Sequence, residues 1–234
     1  MSRLGEPERA AIARVARRFS ATWEEADGGS SDAYLTIGGK PIAIEVAVIK
    51  PGLAELTKPG LRFDKVALRL IGRLQAALSA FVADGEAVLV TVTAPIRLPS
   101  KTAAALESQV RDRLARRPAQ LEIKETICGN QIRVRLLSGV SGRMSKVIGF
   151  VHNPDSDADV LLGLTQTLLQ QVGAAADRRP PETFTGDRWL VIADEDGLAP
   201  IETYRQVYAQ ISTSTDFKKV LMVLGGGRVE TLIG

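Results

Sequence analysis

Two acidic residues, Asp32 and Glu45, lie where a strand hairpin would bring them together. Residues 32–37 and 41–49 read as β-segments separated by Gly38-Gly39-Lys40, and a tight hairpin is the expected connection. With Gly38 and Gly39 as the central turn residues, Ile37 faces Lys40 and the pairing runs outward until Asp32 stands opposite Glu45. With Gly39-Lys40 as the turn, Tyr34 faces Glu45 instead. Directly opposed side chains are rooted about 5 Å apart, so two carboxylates there repel unless a cation lies between them. Magnesium or manganese is one such cation, bound in its usual way by one or two carboxylates, waters and a substrate phosphate. Glu45 also interrupts the apolar run 42–49, where an unpaired charge is costly. An arginine from either basic helix is the alternative partner, and the carboxylate is then structural.

Positioning such a pair requires a sheet with helices against it, and the rest of the chain reads that way. Ile12, Val15, Phe19 and Trp23 recur at helical spacing over residues 6–26, with arginines on the other side. Residues 63–82 repeat the pattern through Val66, Leu70, Leu74, Leu78 and Phe81 and run into the continuous apolar strand 87–93. A third helix is predicted over 100–117, with Ser100 as cap and Pro118 as stop. Segments 121–127 and 131–137 alternate around Gly129-Asn130 as a second hairpin, and 146–151 adds a strand. An apolar helix follows to about Gly173, then the break Arg178-Arg179-Pro180-Pro181, then strand 189–193, helix 201–211 and strand 219–224. The expected fold class is therefore α/β, a mixed central sheet flanked by helices. Its expected regions are a core at 1–95, a β-rich insertion or sheet extension at 119–151 and an α/β region at 156–234. The β-rich stretch is open as a dimer surface, a substrate-binding arm or a section of the main sheet.

The hairpin resembles that of the PD-(D/E)XK nuclease-like, or restriction-endonuclease-like, superfamily. The resemblance rests on Ser31-Asp32-Ala33-Tyr34-Leu35 entering a hairpin whose second strand reads Ile42-Ala43-Ile44-Glu45-Val46-Ala47, with a helix before it and a helix and buried strand after it. It implies that Asp32 and Glu45 are the catalytic and metal-binding residues, with magnesium or manganese as cofactor and DNA or RNA as partner. Lys50, Arg62, Lys65 and Arg69 are then the residues that hold the phosphate backbone. The family's lysine, two positions after the acidic residue, falls on Ala47, and Lys50, Lys65 or Arg69 are the candidates to replace it. Facing alternates along a strand, so Lys50 points away from Glu45. The family's first-helix glutamate falls on Glu24 or Glu25, and its strand between that helix and the aspartate has no counterpart in the pattern. Two functions follow as expectations: metal-assisted hydrolysis of a phosphodiester, or a protein that keeps the fold and binds without cutting.

Composition bounds both. The chain has 234 residues, 45% of them hydrophobic and 24% charged, which suits a single large globular domain spanning residues 1–234. Its longest apolar runs are far shorter than the roughly 20 residues that span a bilayer. The first 18 residues carry charge throughout and no apolar centre, so a cytoplasmic setting without a secretory leader is expected. Cys128 has no second cysteine to pair with. A net charge of +3 permits contact with a polyanion without demanding it, and the basic residues of the first helix and of 62–73 read as solvated faces. The lone His152 opens an Asp- and Ser-rich stretch that reads as turn and cap chemistry, and Gly225-Gly226-Gly227 as a hairpin turn.

Overall fold

A computed structural model of the protein describes residues 4–26, 31–49, 61–62, 65–116, 122–194, 197–211 and 215–234. Helix α1 (Glu6–Arg18) has acids in its first turn and arginines in its last, the arrangement its dipole favours. It buries Ala11, Ile12, Val15 and Ala16. The helix stops short of the expected residue 26, because Ser20 turns the chain through a left-handed conformation (φ 51°). The β-formers Thr22 and Trp23 then open strand β1 (Thr22–Glu25), the strand missing from the sequence pattern.

β1 pairs antiparallel with β2 (Ala33–Ile37), and β2 with β3 (Lys40–Val48). The chain then builds a second sheet before returning to the first. That second sheet has the order β4 (Leu61–Arg62), β8 (Val147–His152), β5 (Glu86–Thr93), β7 (Asn130–Ser138), β6 (Glu122–Ile127). Helix α2 (Lys65–Leu78) and β5 therefore do not continue the sheet of Asp32, as the pattern suggested. They belong with the β-rich strands β6 to β8, and α3 (Pro99–Ala115) packs with them. The first sheet is completed by β9 (Asp187–Asp194) beside β3 and β10 (Lys219–Leu224) beside β9, both parallel, with β11 (Val229–Ile233) antiparallel at the edge.

Between the sheets run α4 (Ala158–Asp177) and α5 (Ile201–Ile211). One apolar cluster joins Ala47, Leu190, Ile192 and Met222 of the first sheet, Leu161, Leu168 and Leu169 of α4, Tyr204 and Tyr208 of α5, and Leu89, Ile148 and Phe150 of the second sheet. α1 covers the outer face of the first sheet, while α2 and α3 cover that of the second. The result is an α/β protein in five layers, helix, sheet, helix, sheet, helix. Strands covered on both sides need continuous apolar runs, which is why β5, β8, β9 and β10 carry them. Among the described residues no helix is long and apolar enough to cross a membrane.

Candidate functional site

Gly38 and Gly39 both have positive φ, 55° and 78°, as a two-residue hairpin turn of this hand requires. The turn sets Ile37 against Lys40 and Ala33 against Ile44, and the Asp32 amide donates to the Ile44 carbonyl at 3.0 Å. Asp32 thus enters the hairpin at the level of Glu45. Its carboxylate reaches across to accept from the Val46 amide at 2.8 Å. Glu45 shares the inner face of β3 with Ala47 and is fully buried, at 0% exposure.

The cation between the two carboxylates is an arginine. Arg178, at the C-cap of α4, donates through Nη1 to Asp32 Oδ1 at 3.1 Å and through Nη2 to Asp32 Oδ2 at 2.9 Å. This is the paired geometry that guanidinium and carboxylate favour. The Nε of the same group lies 2.7 Å from Glu45 Oε2, an ion pair whose N–H is not aligned along the contact. A second arginine, Arg188 of β9, is 5% exposed and approaches Glu45 Oε1 at 3.4 Å. Its Nη2 also donates to the carbonyls of Ala175 (2.6 Å) and Arg178, closing the end of α4. Its Nη1 donates to Asp216 at 2.7 Å, and Asp216 also pairs with Arg179. Burial pushes the Glu45 carboxyl above its ordinary value, more than Arg178 draws it down. Asp32 pushes in the same direction as burial and Arg188 in the opposite one.

Three carboxylates, Asp32, Glu45 and Asp216, therefore face three guanidiniums, Arg178, Arg179 and Arg188. With all three carboxylates ionised the charges cancel within the network, and protonation of Glu45 would leave it net positive. A divalent cation needs surplus negative charge and free oxygens, so this donor set does not fit magnesium or manganese. Ala47 adds neither a ligand nor the positive charge that would orient an attacking water. Among the described residues no group of three His, Cys, Asp or Glu side chains is placed to hold a metal ion.

The other expected residues lie elsewhere. Lys65 and Arg69 are exposed on α2, across the second sheet from α4, and are not brought to the carboxylate pair. Arg62 contributes the backbone of β4, opposite Val151, and Lys50 falls outside the described residues. Glu24 and Glu25 lie on β1 rather than at a helix end, Glu24 opposite Tyr34 and Glu25 with Oε1 2.9 Å from Arg9 Nε. Arg178 and Arg188 escaped the sequence reading because one sits in a linker-like Arg-Arg-Pro-Pro break and the other before an apolar strand. The available signal was Glu45 itself, a buried charge that demanded a cation. Compared with known protein families, with curated proteins and with solved structures, the chain finds no match.

Proposed function

We propose that this chain is a nuclease-like protein whose carboxylate pair has become structural, and that it acts by binding nucleic acid rather than by cutting it at Asp32 and Glu45. The observation that carries this reading is the Arg178 guanidinium set between Asp32 and Glu45, where the resemblance to PD-(D/E)XK nucleases would put a metal. The topology supports the resemblance: a helix, a three-strand meander bearing the two acids, and a later helix leading to a strand parallel to the glutamate strand. Binding is favoured by α2, which contains no acid and exposes Lys65, Arg69 and Arg73 at four-residue spacing, Arg73 with its Nη2 3.6 Å from Glu107 Oε2 of α3. Such a stripe places a cation about every 6 Å along the helix, a spacing suited to successive phosphates.

The test uses labelled single- and double-stranded DNA and RNA with magnesium or manganese, comparing the native protein with Glu45→Gln and with Lys65→Ala/Arg69→Ala. Salt-sensitive binding that weakens in the α2 variant, without Glu45-dependent cleavage, is the expected result. Cleavage by the native protein that vanishes in a folded Glu45→Gln variant returns the site to metal-dependent hydrolysis. Absence of binding by the native protein removes nucleic acid from the proposal.

A further inference from the structure

The chain's single histidine, His152, ends β8 shortly before the N-terminal end of α4, the end away from the arginine network, which does not use it. β5 and β8 are parallel neighbours, and Thr93 and His152 are their last register pair. The chain leaves β5 for α3 on the outer face of the second sheet and leaves β8 for α4 on the inner face. Parallel neighbours whose connections depart to opposite faces open a crevice at their carboxyl ends, the usual ligand position in open α/β sheets. Here that crevice is a cavity of about 370 Å³ lined by Thr93, Arg133, His152, Ser156 and the carboxylates of Asp155, Asp157 and Asp159.

The neighbours of His152 dictate its tautomer. Nδ1 lies 2.9 Å from the Asn153 carbonyl and 3.0 Å from Ser156 Oγ. The Ser156 hydroxyl already donates to the Asn153 carbonyl at 2.7 Å, so both neighbours accept and Nδ1 carries the proton. Nε2 keeps its lone pair, and the Thr93 hydroxyl donates to it at 3.2 Å. Burial, at 5% exposure, holds the imidazole below its ordinary 6.5, with Arg133 of β7 acting the same way and the Asn153 carbonyl and Asp157 opposing. Hydroxyl, neutral imidazole and orienting carbonyl stand in the order of a nucleophile, its base and the group that aims the base.

We propose that Thr93 and His152 form an acyl-transfer pair acting on small uncharged or cationic esters. Thr93 Oγ1 attacks the ester carbonyl carbon as its proton passes to His152 Nε2. The bond from acyl carbon to alkoxy oxygen breaks, and the imidazolium returns the proton to the leaving alkoxide, which departs as the alcohol. Water then attacks the acyl carbon through the same base, the Thr93 oxygen recovers its proton, and a carboxylic acid leaves. Asp159 is offset by Arg133, with Lys124 and Arg135 also acting on it, and Asp157 caps α4. The cavity's remaining negative charge, that of Asp155 and Asp157, therefore disfavours phosphate and carboxylate substrates and sets the charge class.

The probe is p-nitrophenyl acetate, with nitrophenolate release followed by absorbance and the acetyl group located by peptide mass. The proposal expects acetyl on Thr93, release lowered about 100-fold or more in Thr93→Val, and release retained in Thr93→Ser. It also expects a rate that rises as His152 loses its proton and levels off with a midpoint below 6.5. Valine nearly matches threonine in shape, so the variant's melting temperature separates lost chemistry from lost folding. Release by native protein no faster than by folded Thr93→Val, or acetyl found only on lysines, overturns the proposal.

Discussion

Glu45 is held against the preference of its own carboxylate for water. Its folded-state pKa is raised above the 4.5 of a free side chain, chiefly by burial. Below that value the carboxyl is protonated in both folded and unfolded chains. As pH climbs through the folded value, the folded protein must ionise a buried group, so this stability contribution is lost with rising pH. We therefore expect the native protein to lose stability relative to Glu45→Gln as pH is raised from below 4.5 through neutral in urea denaturation. A difference that instead moves in favour of the native protein would mean that Arg178 and Arg188 outweigh burial. Removing one partner of a buried ion pair commonly costs about 3–5 kcal/mol, whereas Gln keeps hydrogen bonding to Arg188 within reach, which makes it the informative change.

Among the elements, α4 is the one that both sheets depend on. It buries Leu161, Leu162, Leu164, Leu168, Leu169, Val172 and Ala176 on faces turned to both sheets, and its side-chain cap is Asp157, which accepts from the amides of Asp159 and Val160. A cap at Asp157 or Ser156 was legible because Asp or Ser before an apolar run is what an exposed helix start requires, and Asp157 is the residue that serves. Leu169 is fully buried, and Leu169→Ala should lower the unfolding free energy by about 2–5 kcal/mol in urea titration. A loss below about 1 kcal/mol would show that the middle layer closes around the deletion. The β2–β3 hairpin was equally legible, since two successive glycines permit a turn with positive φ at both positions, and that turn fixes the register.

Across the whole molecule, one apolar cluster spanning both sheets through α4 and α5 implies that they lose structure together. Trp23 and Trp189 report on the first sheet and His152 on the second. Tryptophan fluorescence and the His152 ring resonances should give one coincident urea midpoint, and two separated midpoints would show that each sheet stands alone. The α/β class, most strand and helix positions, the hairpin with its register narrowed to two alternatives, and the need of Glu45 for a cation could all be read from the chain alone. These follow from periodicity, turn residues and the cost of buried charge, all of which act over a few residues. Folding of the whole chain was needed to place β3 beside β9 instead of β5, to assign α2 and β5 to a second sheet, and to supply Arg178 as the cation. The contacts of Glu45 with β9 and Arg178 join residues more than a hundred positions apart, and which apolar faces meet is settled by packing the whole chain, not by any local pattern.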